Sequence, residues 1–487
     1  MSKICDKDMT FEECELTILR HAVDESEKAQ KIKVASSGEI KSIFEILENF
    51  IIKKKTILYG GLALNRLMPK DEQFYNEETD LPDYDMFSEN ALDDAKELAD
   101  IYYKAGYTEV EARSGVHHGT FKVFVDFMGI ADITQIPKKL FHKLKEDAIT
   151  IAGMKYCPPN FLRMSMYLEL SRPAGDVSRW EKVLKRLTLL NKYYPLTPPF
   201  DCEKVDFQRD METSVENSEK IYYIVRDSFI EQGVVFFGGF ASTAYSKHMP
   251  DKYKRLLEKT PDFDVLSTDP DKCAMILIEK LHDNGFTKAK SIKHEAIGEL
   301  IPEHIQINIG IETVAFIFKP IACHSYNTIK MESKEVKIAT IDTMLSFYLA
   351  FIYIEKFDNA KDRILCMAKF LFDVQQENRL AQKGVLKRFT IDCYGKQPTL
   401  EAIRAEKAEK FRELKSKKNT REYEMWFLKY NPAEKLKYKP SKKTSPKKSV
   451  KVTAKPKPAV KRTVKRNPKY TTVKKGLTKA RFSAFYK

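Results

Sequence analysis

Thr56–Gly61 reads TILYGG and Pro82–Ser88 reads PDYDMFS, and the fold turns on how these two stretches are joined. The first is a short apolar strand ending in a glycine pair that opens a helix-like LALNRLM. In the second, side chains alternate along a strand, so Asp83 and Asp85 share one face while Tyr84 points to the other. Downstream, Thr120–Phe127 (TFKVFVDF) also reads as a strand, with Phe121, Val123, Val125 and Phe127 on one face and Lys122, Phe124 and Asp126 on the other. A lone carboxylate in such a pattern is costly to bury unless a cation compensates it. Asp83, Asp85 and Asp126 are therefore the expected catalytic and metal-holding residues, a set suited to two divalent ions, Mg2+ or Mn2+, in phosphoryl transfer. Gly60 and Gly61 would bring backbone N–H groups and a helix N-terminus to a nucleotide's phosphates.

Around this core the 487 residues suffice for two to four domains. No stretch approaches 18 consecutive apolar residues and MSKICDKDMT lacks a signal-peptide core, so no membrane partner is expected. Cysteines at 5, 14, 157, 202, 273, 323, 366 and 393 form no CxxC pair or zinc spacing and read as thiols of a reducing compartment. The net charge of +15 is unevenly spread: residues 435–487 hold 20 Lys and Arg and no Asp or Glu, leaving 64 basic against 69 acidic residues elsewhere. That Lys/Pro/Ser-rich tail has no helical apolar period; it is expected to be disordered and to favour a polyanion. Thr10 and Glu13 form a capping box for an N-terminal helix, Asn90–Ala105 reads as a helix stopping at Gly106, and SGVHHG, with His117 and His118, reads as a loop.

The chain then repeats itself. Ile43–Gly60 (IFEILENFIIKKKTILYG) and Ile221–Gly238 (IYYIVRDSFIEQGVVFFG) have equal length, and PDYDMFS recurs as PDFDVLS at residues 261–267. RMSMYL at Arg163 likewise recurs as MLSFYL at Met344. A spacing of 178 residues at Gly60/Gly238 and 181 at Arg163/Met344, a drift of three, argues for duplication of a whole sheet-plus-helices unit. Aligning FKVFVDFMGIADIT with IQINIGIETVAFIF sets Gly310 opposite Asp126 and Phe316 opposite Asp132. The second copy keeps Asp262 and Asp264 but lacks the third carboxylate, so it is expected to be catalytically dead.

GG, then DxD, then a third Asp resembles the polymerase-beta-like nucleotidyltransferase superfamily. More narrowly, GGLALN with LPDYDMFS and the second GG and PDFD unit is similar to the poly(A) polymerase catalytic subunits of large cytoplasmic DNA viruses, over roughly residues 40–380. The resemblance implies an α+β fold of two tandem nucleotidyltransferase-like mixed-sheet lobes, each followed by a helical subdomain. The expected boundaries are N-terminal helices at 1–50, an active lobe at 51–155, a helical part at 156–200, a degenerate lobe at 201–335, a second helical part at 336–431 and the basic tail at 432–487. It implies template-independent addition of a poly(A) tail to mRNA 3′ ends from ATP, in the cytoplasm of an infected host cell or in a virion. A helical domain that clamps base and triphosphate brings Lys182, Lys185 and Arg186 near the cleft, with Lys182 the expected nucleotide contact. Related enzymes gain processivity from a second subunit, which suggests a homodimer. Two rivals stand beside this: an oligonucleotide or cyclic-nucleotide synthase of the same superfamily, and a catalytically inactive RNA-binding scaffold.

Overall fold

A computed structural model describes residues 5, 9–35, 37–76, 81–205, 215–249, 262–298, 300–354 and 360–437. The amino-terminal helix α1 (Phe11–Ala35) is capped as expected, the Thr10 amide donating to Glu13 Oε2 at 2.8 Å and the Glu13 amide to Thr10 Oγ1 at 3.3 Å. Helix α2 (Gly38–Lys54) packs Ile43, Leu47, Phe50 and Ile51 inward and leads into strand β1 (Ile57–Leu58). Helix α3 (Gly60–Leu67) follows at once, and β2 (Tyr84–Ser88), α4 (Ala91–Lys104), β3 (Val110–Ser114), β4 (Thr120–Val125) and β5 (Met128–Gln135) come next. After α5 (Lys138–Glu146), the hairpin β6 (Ile149–Ile151) and β7 (Met154–Tyr156) completes the first lobe. Helices α6 (Pro159–Leu170) and α7 (Trp180–Tyr193) then cover it. The turn before α7 is capped by Asp176, whose Oδ1 accepts from the Ser178 amide.

The second half is built the same way: α8 (Val215–Glu231), β8 (Val235–Phe237), α9 (Gly238–Ala244), β9 (Phe263–Leu266), α10 (Pro270–Asp283), β10 (Ala289–His294), β11 (His304–Ile309), β12 (Glu312–Phe318) and the hairpin β13 (His324–Met331) and β14 (Lys334–Ala339). Helices α11 (Ile341–Phe351) and α12 (Lys361–Glu377), strand β15 (Cys393–Tyr394), helices α13 (Leu400–Leu414) and α14 (Arg421–Phe427), strand β16 (Lys429–Tyr430) and helix α15 (Pro432–Lys437) end the described chain. One sheet runs β16-β3-β4-β5-β2-β1-β7-β6 and the other β10-β11-β12-β9-β8-β14-β13-β15. Apart from the added strands β16 and β15, the two orders are one topology, with the same parallel pairs (β2 with β5, β9 with β12) and a bulge at the same place in β4/β5 and β11/β12. Even the corners match: Gly60 and Gly238 sit at φ +72° and +77°, a region that favours glycine. The tandem mixed-sheet architecture read from the repeat is thus the observed one.

The lobes meet through equivalent helices. α6 packs on α11, Phe161 and Tyr353 lie edge to face at 5.4 Å between ring centroids, and the Ser325 amide donates across to the Ser171 carbonyl at 2.8 Å. At the start of α11, buried Asp342 accepts from Arg388 Nη2 at 2.5 Å and Nε at 3.0 Å. Removing one partner strands the other charge in a low-dielectric setting, so Asp342→Ala is expected to cost about 3–5 kcal/mol. Urea denaturation read by near-UV circular dichroism measures this, and a loss under about 1 kcal/mol would refute it.

The sequence reading needs two corrections here. Six of the eight cysteines are paired, Cys5 with Cys14, Cys202 with Cys366 and Cys323 with Cys393, while Cys157 and Cys273 stay buried as thiols. Separations of 164 and 70 residues leave no local signature, because pairing is set by the fold. Asp126, expected on a strand, lies instead beyond its end. β4 stops at Val125, and Asp126 and Phe127, at φ +49° and +66°, form the two-residue turn into β5. Of the tail expected from 432 onward, residues 438–487 lie outside the described residues.

Candidate active site

Tyr84 points to one face of β2, buried and donating its hydroxyl to Glu48 of α2, so Asp83 and Asp85 lie toward the other face, as alternation requires. There β2 and the following helix corner meet. The Tyr59 amide donates to the Asp85 carbonyl at 3.0 Å, and Gly60 turns the chain into α3 directly over the Asp85 side chain. A Cβ on Gly60 would stand 2.8 Å from Asp85 Oδ2, so a side chain there meets the carboxylate as well as a strained backbone. On Gly61 it would stand 2.5 Å from the Tyr75 hydroxyl and 3.2 Å from Arg186 Nη1.

The third carboxylate of this place is Asp132 and not Asp126. β2 and β5 run parallel with Asp85 opposite Asp132, and β5 runs antiparallel to β4 with Asp132 opposite Lys122. One row across three strands therefore reads Lys122, Asp132, Asp85, with Lys122 Nζ donating to Asp132 Oδ2 at 2.7 Å and Oδ1 at 3.0 Å. Asp126 is exposed in its turn, and Met128, which opens β5 just after it, is four strand residues or roughly 14 Å from Asp132. Among the described residues no three His, Cys, Asp or Glu side chains stand close enough to hold a metal ion as they are placed, since Asp132 faces Lys122.

The electrostatics of the cluster are strained. Burial pushes the Asp85 carboxyl well above the usual carboxylate range, Asp83 and Asp132 push it further, and Lys122 and Arg179 only partly offset them. Burial likewise raises Asp132, against the pull of Lys122, with Asp83 adding to the rise. Buried carboxylates whose charged form is disfavoured suit a hard divalent cation, whose charge would relieve Asp85 and Asp132 together.

Beside the carboxylates, α7 supplies the opposite charge. Arg186 is buried, donates to the Tyr75 hydroxyl at 2.8 Å and lies 4.5 Å over the Phe74 ring, against Gly61. Lys182, one turn earlier, is exposed, and its pKa is lowered chiefly by Arg186, then by burial and Arg179. Arg179 pairs with Glu169 at 3.3 Å, so a bound anion would be met chiefly by Lys182 and by Arg186, the one that stands against Gly61. Beside them lies a narrow cleft with Phe161, Leu162, Met166 and Val183 as apolar wall and Ser165 and Arg186 as its polar part. Arg186 is the main residue that sequence reading left undecided; its place at i+3 on the face of Val183, Leu187 and Leu190 separates it from Lys185 on the solvent side.

The second lobe repeats the frame with two of the three charges of the row replaced. The row Lys122, Asp132, Asp85 becomes Gln306, Phe316, Asp264 by the same strand pairings. Phe316 is buried against the rings of His304 and Phe318, and Asp264 lies under Gly238 as Asp85 lies under Gly60. The Gly310 that the sequence sets opposite Asp126 is the corresponding hairpin turn, at φ +65°.

Residues 45–176 match the poly(A) polymerase catalytic subunit family. Among curated relatives, a putative poly(A) polymerase catalytic subunit of African swine fever virus (isolate Pig/Kenya/KEN-50/1950) is 36% identical over 174 residues, covering 34% of this chain and 36% of the relative. One of Acanthamoeba polyphaga mimivirus is 28% identical over 235 residues, covering 45% and 38%. The chain thus spans little more than a third of the length of the curated relatives it matches. The crystal structure of the Megavirus polyadenylate synthase aligns over 90% of this chain and 89% of its own, with a TM-score of 0.74 at 19% identity. The fold is therefore shared along nearly the whole chain, and the resemblance carried by GGLALN and LPDYDMFS is borne out.

Proposed function

From the premise that residues 45–176 match the poly(A) polymerase catalytic subunit family, we propose that the protein is a nucleotidyltransferase that extends RNA 3′ ends with adenylate from ATP, without a template. The observation that carries this is the meeting of Asp83, Asp85 and Asp132 under the Gly60–Gly61 corner, with Lys182 and Arg186 on the facing helix. Asp83 and Asp85, with Asp132 once released from Lys122, would hold Mg2+ or Mn2+; such ions would lower the pKa of the attacking hydroxyl and neutralise charge on the leaving group. The amides of Gly60 and Gly61 and the side chains of Lys182 and Arg186 bind and orient the triphosphate. The apolar surface of Phe161, Leu162 and Met166 would lie against the base. The RNA 3′-oxygen forms a bond to the α-phosphorus, its proton passing to Asp132, and the bond from that phosphorus to the bridging oxygen breaks as pyrophosphate leaves with the electron pair.

The partners in this reading are RNA, ATP and a second copy of the chain. The setting is an infected cell or virion, in keeping with the viral relatives. Among the described residues no helix is long and apolar enough to cross a membrane. The deciding measurement is incorporation of each of the four labelled nucleotides onto a short RNA with magnesium or manganese. Long adenylate products that need the primer are expected. Short or cyclic products made without RNA would favour a synthase, and no incorporation would favour a scaffold. Sedimentation velocity at micromolar concentration tests the dimer, and a monomer there would remove it.

A further inference from the structure

We propose that the trough between α13 and α14 is where the single-stranded RNA substrate docks on its way to the carboxylates, an inference that rests on the polymerase reading. Helix α13 is sorted by charge: Arg404, Lys407 and Arg412 fall with Phe411 on one face at spacings of 3, 7 and 8 from Arg404, and Glu406, Glu409 and Glu413 fall on another. On the basic face Phe411 is 44% exposed, its ring edge-on to Phe427 at 5.4 Å, and Lys407 Nζ lies 6.0 Å over the Phe427 ring. Among the described residues neither Arg404 nor Arg412 has a carboxylate partner. Open guanidinium groups beside an exposed aromatic ring are what a strand of phosphates and bases requires, and an uncharged partner would leave the arginines idle.

The trough is also aimed. β16 pairs with the edge strand β3, the Ser114 amide donates to the Leu428 carbonyl at 3.0 Å, and Lys407 Nζ donates to the Gly115 carbonyl at 2.7 Å. Trp426 lies 4.2 Å from the His118 ring. These contacts seat the hairpin on the loop that feeds β4, where Lys122, two residues or about 7 Å into the strand, meets Asp132. His117 in that loop senses both ends, its pKa lowered by burial and then by Lys407 and Lys122. A strand lying in the trough therefore points its end at the carboxylate row.

The test uses the full chain, a fluorescent 15-nucleotide oligoadenylate with a photoreactive nucleotide in its 5′ half, and peptide mapping after irradiation. Crosslinks are expected on the peptides carrying Phe411 and Phe427. Arg404→Glu with Arg412→Glu, both at exposed positions, is expected to raise the KM for RNA about tenfold or more while leaving the KM for ATP and kcat at saturating RNA unchanged. Phe411→Ala is expected to weaken binding in a component that added salt does not remove. Crosslinks confined to residues beyond 437, or an unchanged KM for RNA in an active enzyme, would overturn the trough and leave the polymerase reading standing. A wild-type chain that extends no RNA yet crosslinks in the trough would keep the trough and sink the polymerase reading. Displacement of the trough crosslinks by polyglutamate but not by unlabelled RNA would overturn it in favour of an acidic protein partner.

Discussion

Asp85→Asn is expected to lower adenylate transfer by about a thousandfold or more, and Asp83→Asn by a comparable factor, with the protein still folded. A carboxylate that helps hold a catalytic cation governs several kcal/mol of transition-state stabilisation, and about 4 kcal/mol is a thousandfold in rate. Folding should not suffer, because Asp85 is buried beside Asp83 and Asp132 and its proton affinity is raised by that position. A group whose folded-state pKa lies above its unfolded value binds more protons when folded. Its contribution is full below the ordinary carboxylate pKa and is lost as pH rises toward neutrality. The amide removes that loss, so in chelator at pH 7 the Asp85→Asn protein should melt at or above the wild-type temperature. In the second lobe Asp264→Asn should change the rate less than about twofold, because Phe316 already occupies the place of the third carboxylate. Single-turnover incorporation and thermal melting of the three variants test this together. An active Asp85→Asn protein, or an inactive Asp264→Asn protein that folds, would move the site or abolish the proposal.

The second large effect separates two aspartates six residues apart. Asp132→Asn is expected to cost about a hundredfold or more in kcat, while Asp126→Asn stays within about twofold. Asp132 shares its strand position with Asp85 and takes the Lys122 ammonium, whereas Asp126 turns a hairpin in solvent. The substitution at 126 is the sharper control because alternation along TFKVFVDF makes that residue the natural third carboxylate. Equal losses in both variants would mean that the hairpin closes onto the site in the working enzyme, and loss only at Asp126 would reverse the assignment.

Why the sequence discloses Asp83 and Asp85 but not Asp132 is a matter of range. DYD alternation and the glycine pair are local, and a duplicated run of equal length shows itself without any structure. The pairing of β2 with β5 is long-range. It emerges only once the β4–β5 hairpin is known to turn at Asp126–Phe127, a pair without the Asn-Gly or Asp-Gly signature of such turns. Phe127, 85% exposed, imitates the next apolar residue of a strand and extends the false pattern by one step. The alignment of the copies nonetheless holds the answer, since it sets Phe316 opposite Asp132 and glycine opposite Asp126; a turn accepts glycine, and a site losing its charge becomes core. β16, only two residues long, and the pairs Cys202–Cys366 and Cys323–Cys393 depend on chain segments far apart in sequence and leave no local trace.

The packing of α6 on α11 joins the same element of each copy, much as an isologous contact joins two protomers about a two-fold axis. In an assembly of identical subunits every substitution arrives twice, and an aspartate exchanged for phenylalanine would silence both halves at once. With both halves on one chain, the partner-like half is free to give up its chemistry and keep only its shape. The exchange of a Lys–Asp–Asp row for Gln–Phe–Asp is that freedom written into a single polypeptide.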